Sequence, residues 1–304
     1  MRAFRWLVAA ALAAALVLPA AAEQSPLVDA NWLSKNLNDP KVRVFEVSVE
    51  PGVYERGHIP GAVNIRWQAD LVETVRRDTG SRDKFKALVE GAGVTKDFTI
   101  VLYSDHSNLY AAWAAWVFEI YGLGAQVKLL DGGRKIWEDR GLPLENREPA
   151  YAKSTIDLPE PNLRLRARLN DLSGVVDGRD KGLIVDIRTA DEYAGMVAAN
   201  FNGVELRAGH VPGAKNVPWA SMVAADGAFK PKHELAKLYA AVGVNGTQPV
   251  IVYCRLGERS SYAWFVLAKI LGYEARNFDG AWIEYGKTGG LPIADFAGIV
   301  SPGK

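Results

Sequence analysis

Apolar residues along this chain gather in short runs, and most runs end on a turn residue. Val42 to Val47 alternates apolar and polar positions over the length of a strand. Phe98 to Tyr103 and Val250 to Tyr253 are nearly continuous apolar runs, the pattern of strands covered on both faces of a parallel sheet. Val127 to Leu130 and Leu183 to Ile187 read as further strands, and a shorter one precedes Asp279. Between them lie two stretches of helical length. Leu109 to Tyr121 is rich in Ala and Trp and stops at Gly122, and Ser260 to Leu271 stops at Gly272.

The pattern occurs twice. Gly57-His58-Ile59-Pro60-Gly61-Ala62-Val63-Asn64-Ile65 returns 152 residues on as Gly209-His210-Val211-Pro212-Gly213-Ala214-Lys215-Asn216-Val217, identical at six of nine positions. Val101 to Ser104 returns as Ile251 to Cys254, Leu130 to Gly133 as Phe278 to Ala281, and Gly141-Leu142-Pro143 as Gly290-Leu291-Pro292. Four landmarks in one order at a nearly constant offset mean a duplicated domain, with a period far too long for a solenoid. Each copy alternates strands with helices, so each is an α/β unit with an open, mostly parallel sheet and helices on both faces. The predicted division is 23–146 for the first copy and 168–304 for the second. The stretch 147–167 between them, with Pro149, Pro159 and Pro161 and no periodicity, is expected to be a surface linker.

Residues 1–22 stand outside this scheme. Arg2 and Arg5 precede an apolar run from Trp6 to Leu18, and Ala20-Ala21-Ala22 supplies the small residues of a cleavage site before Glu23. The run is short for a membrane span, and no later stretch is longer. A cleaved signal peptide and a periplasmic or secreted protein are the expectation, with no membrane attachment after cleavage. The hydrophobic fraction of 49% and charged fraction of 23% are those of a globular protein. A net charge of +1 does not suggest nucleic acid as a partner. His58 and His210 sit in the repeated motif of both copies and read as structural turn residues. His106 and His233 have no partner at metal-ligand spacing, so no metal is expected.

Cys254 is the only cysteine. It ends a buried strand, and ligands of open α/β sheets lie beyond such strand ends. Arg255-Leu256-Gly257-Glu258-Arg259 follow, and then a helix. The helix N-terminus, Arg255 and Arg259 suit an anionic sulfur. The backbone N–H groups of residues 255–259 are expected to cradle it, with Gly257 permitting the turn. A cradle that holds a phosphate ester carries arginine six positions after the cysteine. Here that position is Ser260, so the loop is one residue short for phosphate and sized for a single sulfur atom. The chemistry this suits is sulfur transfer through a cysteine persulfide, with Cys254 as nucleophile. Arg255 and Arg259 are predicted to bind a small anionic donor. Arg188 and Arg207 are further candidates for the anion pocket, against a salt bridge for Arg188, with Glu192 as partner.

Taken together, the repeated Gly-His motif, Asp186-Ile187-Arg188, the loop at Cys254 and Asp279-Gly280-Ala281-Trp282 resemble the tandem-domain rhodaneses, over about Ser25 to Ile293. The resemblance implies a catalytic second domain and an inactive first one. Ser104 indeed stands at the place of Cys254, with no arginine behind it. It also implies thiosulfate as donor, sulfite as leaving product, a thiophilic acceptor (cyanide, a thiol or a protein) and no organic cofactor. Mercaptopyruvate-type members carry a small residue after the cysteine, so Arg255 favours thiosulfate. The mammalian-type loop has lysine where this chain has Leu256, and Glu258 adds a negative charge. The alternatives are a mercaptopyruvate-type sulfurtransferase, a non-enzymatic persulfide carrier and, from another class, a phosphatase or arsenate reductase.

Overall fold

The computed structural model describes residues 25–73, 78–198 and 200–301, so the N-terminal apolar run and Glu23 lie outside the described residues. In the first unit five parallel strands lie in the order Leu27–Val28, Val127–Leu130, Thr99–Tyr103, Val42–Glu46, Val63–Asn64. In the second, four parallel strands lie in the order Lys215–Asn216, Leu183–Asp186, Val250–Tyr253, Ala275–Asn277. The apolar runs Thr99–Tyr103 and Val250–Tyr253 are interior strands of their sheets, as continuous burial requires. Register repeats as well: Glu46 pairs with Tyr103, and Asp186 with Tyr253.

The helix after each interior strand joins the units. Asp105–Ile120 buries residues on every face from Leu109 onward, which a helix does when it packs against more than one layer. Its partner is Glu258–Trp264, which continues from Phe265 to Leu271 with the wider winding of a π-helix and ends on left-handed Gly272. Trp113, Trp116, Tyr262 and Phe265 belong to one apolar cluster that runs from the first sheet into the second.

The stretch 147–167 runs mostly exposed over the surface, and it is tied down at points along its length. Ser154 N–H donates to Glu90 O (2.9 Å), Asn162 N–H donates to Ile120 O (2.7 Å), and Ile156 and Leu158 are buried. Arg166 then runs parallel to Asn277, on the flank that Leu27–Val28 occupies in the first sheet. Its guanidinium is buried. It donates through Nε (3.1 Å) and Nη2 (2.5 Å) to Asp279 of the second unit, and through Nη1 to Asp78 of the first. The physical reason is Asp279, whose buried carboxylate demands a counter-charge. Arg166→Met should therefore lower the unfolding free energy by about 3–5 kcal/mol, because it strands that carboxylate. Urea denaturation checks this, and an unchanged midpoint would refute it.

Candidate active site

Cys254 follows the Val250–Tyr253 strand and is fully buried. Its carbonyl accepts Trp282 N–H (2.9 Å), and the Arg255 carbonyl accepts Ile283 N–H (3.2 Å). The chain then turns through Gly257 at φ +108°, a left-handed conformation that side chains resist. Gly257 is also pressed from outside. A Cβ there would stand 2.8 Å from the Asp279 carbonyl oxygen and 3.2 Å from the Trp113 ring of the first unit. The turn brings Gly257 N–H to 2.9 Å from Cys254 Sγ, and it is the N–H that bonds the sulfur among the five expected to cradle it. The Ser260 hydroxyl stands 3.6 Å from Sγ and donates to Gly257 O (2.8 Å), which closes the loop from the helix side.

The first unit builds the same strand end differently. His106, Ser107 and Asn108 all adopt left-handed conformations, and Asn108 folds back into the loop. Its Oδ1 accepts Ser104 N–H (2.9 Å), and its Nδ2 donates to Leu130 O (2.5 Å). The space above Ser104 is thus filled by the chain itself.

Above the Cys254 loop lies a cleft of about 790 Å³ between the units. Arg255, Leu256, Glu258 and Arg259 line one side, and Trp67, Leu109 and Tyr110 of the first unit line the other. Trp67 stacks obliquely on Tyr110 (5.1 Å between centroids) and meets Trp113 edge-on (6.2 Å). Burial, followed by the charges of Glu258, Asp105 and Cys254, pushes the Tyr110 phenol up to about 12, so it is a neutral hydrogen-bonding group near neutral pH.

A rhodanese-like domain model matches residues 29–140 and again 168–288. The chain is 42% identical over 274 residues to "Sulfur carrier protein TtuD" of Thermus thermophilus, covering 88% of this chain and 96% of that one. It is 40% identical over 276 residues to a "Putative thiosulfate sulfurtransferase" of Mycolicibacterium smegmatis, covering 90% and 98%. The crystal structure of SseA from Escherichia coli, described as a 3-mercaptopyruvate sulfotransferase, superposes with a TM-score of 0.72 at 26% identity, covering 85% of this chain and 99% of that one. The chain belongs to the rhodanese family. That family is one of sulfurtransferases, and the chain carries its domain twice in tandem.

Within this rhodanese the four candidate arginines part company. Arg255 is exposed in the cleft and makes no ion pair among the described residues. Arg259 lines the same cleft but is held in a two-pronged bond by Glu192, Nη1 to Oε2 at 2.9 Å and Nη2 to Oε1 at 3.1 Å. Arg188 is not in the anion pocket. It is buried, forks onto Asp186 (2.5 and 3.0 Å), donates to Gly209 O (2.8 Å) and lies over the Trp282 ring at 4.3 Å. The salt bridge expected for it forms with Asp186 rather than Glu192, because Asp186 is fully buried and two residues away. Arg207 is not in the pocket either. Its guanidinium donates to the carbonyls of Tyr285, Gly286, Thr288 and Leu291, at the end of a helix and in the turn beyond it, where carbonyls lack intrahelical partners.

Ser260 and Glu192 were not foreseen as site residues. Ser260 had a signal, its place in the first helical turn six residues after the thiol. Glu192 had only the pattern Thr189-x-x-Glu192, which does form a capping box. Both histidines hold turns. His58 and His210 stack on Tyr54 (3.9 Å) and Tyr193 (3.7 Å), and each Nδ1 bonds that tyrosine's carbonyl.

Two predictions follow from these positions. Gly257→Ala should destabilise the fold by about 1–3 kcal/mol through left-handed strain and contact with Asp279, and should abolish sulfur uptake by displacing the N–H that meets Sγ; a normally active variant would refute it. Burial lowers the His210 pKa below its ordinary 6.5. The unfolded chain therefore takes up the proton first as pH falls. The stability this group contributes is complete above 6.5 and is lost as pH drops through its folded value. Urea midpoints should fall between about pH 7.5 and about pH 5.5, and less so in His210→Gln.

Proposed function

We propose that this rhodanese takes the outer sulfur of thiosulfate onto Cys254 and passes it to a thiophilic acceptor. The Cys254 thiolate attacks the outer sulfur, the S–S bond of thiosulfate breaks, and its electron pair leaves with sulfite. A persulfide remains on Cys254. An acceptor nucleophile then attacks the outer sulfur, and the pair returns to the Cys254 thiolate. The observation that carries this reading is the Gly257 N–H aimed at Sγ from 2.9 Å, inside a loop whose Arg255 and Arg259 line a cleft. Two guanidiniums suit a small dianion and a departing sulfite better than the single carboxylate charge of a keto-acid thiol. Arg259, set by Glu192, lines the same cleft. The N-terminal sequence pattern supports a periplasmic or secreted setting for the reaction.

A second reading has a specific support. The similarity to a protein named as a sulfur carrier favours a chain that holds a persulfide for a dedicated acceptor without turning over small molecules. Intact-mass measurement after incubation with thiosulfate tests both. The chain should gain one sulfur atom, lose it to cyanide with formation of thiocyanate, and gain nothing as Cys254→Ser. A gain of sulfur without steady-state thiocyanate would select the carrier reading. No gain would sink the thiosulfate assignment.

A further inference from the structure

The two copies differ most beside the active cleft. In the first, Tyr54 and His58 are four residues apart; in the second, the corresponding Tyr193 and His210 are seventeen apart. The anchors are otherwise superimposable in kind. Each tyrosine stacks on its histidine, and each phenol donates to the motif alanine, Tyr54 to Ala62 O (2.7 Å) and Tyr193 to Ala214 O (2.8 Å). The second copy therefore carries a thirteen-residue insertion between fixed points. Its two ends pinch together: a Cβ on Gly195 would lie 2.9 Å from Gly209 N.

The described residues of the insertion carry secondary structure. Asn200–Phe201 and Val204–Glu205 form an antiparallel hairpin, closed by Asn202 and Gly203 at φ +52° and +79°, the turn that matches strand twist. Its returning leg is nailed down by Arg207, whose guanidinium meets four carbonyls, and by Trp282 Nε1–H donating to Arg207 O (3.0 Å). So anchored, the hairpin places Phe201 and Asn202 on the wall of the Cys254 cleft, beside Arg255 and Leu256. The same insertion turns apolar side chains outward. Met196 is 76% exposed, Val197 53% and Val204 50%.

We propose that this hairpin selects the sulfur acceptor, and that the acceptor is a cysteine on a partner polypeptide. The inference rests on the persulfide reading of Cys254. The cleft has the volume of a site for a drug-sized molecule, far more than thiosulfate, sulfite or cyanide fills. The first copy, which has Ser104 in place of the thiol, lacks the insertion. Apolar residues on the outer side of an element that walls the cleft extend the contact surface past the reach of a low-mass thiol. In the transfer, the partner's thiolate attacks the outer sulfur, the Cys254–sulfur bond breaks, and the electron pair stays on Cys254 as thiolate. The partner leaves as the persulfide.

The test loads the full chain with sulfur from sodium tetrasulfide, so that failure with thiosulfate would strike the donor assignment alone. Transfer rates are then measured to cyanide, to 2-mercaptoethanol and to a reduced peptide with one cysteine between apolar residues. Phe201→Ala and the surface variant Val204→Asp should each slow the peptide about tenfold relative to cyanide, mainly through KM. Equal slowing of peptide and cyanide would overturn the proposal, as would an unaffected peptide. Wild-type chain that serves cyanide but not the peptide would also overturn it. Slowing of 2-mercaptoethanol as large as that of the peptide would reject the polypeptide acceptor.

Discussion

A carboxylate with no water on it must be answered by protein groups, and both units are organised around one. Asp186 is fully buried at a strand end. Tyr253 donates to it from the adjacent strand (2.6 Å), and Arg188 meets it with its backbone N–H and its guanidinium. Each partner does a second task. Tyr253 also accepts Val211 N–H (3.2 Å) and immediately precedes Cys254, while Arg188 also holds Gly209 O. One buried charge thereby ties the Gly-His motif to the strand that presents the thiol. The first unit does the same with Glu46, met by Tyr103, by Ser48 (2.6 Å) and by Arg134 (2.7 Å), which also holds Gly57 O. The arginine comes from a different element in each copy. Where the first has Arg134 the second has Trp282, and Arg188 lies against that ring. Removing either partner would leave an uncompensated charge, which is a reason for the frame to stand in the copy with Ser104 as well as in the copy with Cys254.

The units hold each other through a second pair of carboxylates. Asp131 and Asp279 begin the same turn in each copy, and each reaches across. Asp131 accepts Phe229 N–H of the second unit (2.9 Å), while Asp279 takes Arg166, which also grips Asp78 of the first. Burial raises the pKa of both aspartates. The Asp279 backbone is also what Gly257 presses against. Domain packing and loop shape are therefore not separable: the contact that seats one unit on the other also sets how closely the loop wraps Cys254.

Much of this was legible in the chain. The parallel strands, the duplication, Cys254, Gly257 and the serine at the matching place, Ser104, are local facts, carried by runs and landmarks that lie close in sequence. What stayed hidden was the assignment of arginines. Arg166, Arg188, Arg207 and Arg259 look alike in a sequence, but their partners are Asp279, Asp186, the four carbonyls from Tyr285 to Leu291, and Glu192. Most of those pairs join residues far apart in the chain, and guanidinium geometry suits a carbonyl cluster as well as an anion. Charge alone cannot separate an arginine that awaits a ligand from one already satisfied. Arg255, the one turned to the cleft without an ion pair among the described residues, is recognised only once the others are placed.

The comparison between copies also explains how one frame yields a filled site and an open one. In the first, Asn108 occupies the loop, and a Cβ on Gly133 would strike Asn108 Oδ1 at 2.4 Å and the Ser104 carbonyl at 2.5 Å. Glycine is required there by the plug as well as by φ +58°. At the matching place the second copy carries Ala281 at φ +56°, a conformation strained for any residue with a side chain. The Cys254 loop spends its single left-handed turn on Gly257, sends that N–H to the sulfur and leaves the volume above Cys254 to the cleft. The two loops thus differ in the direction of one side chain as well as in serine for cysteine, within a frame of carboxylate, tyrosine and arginine that both copies build.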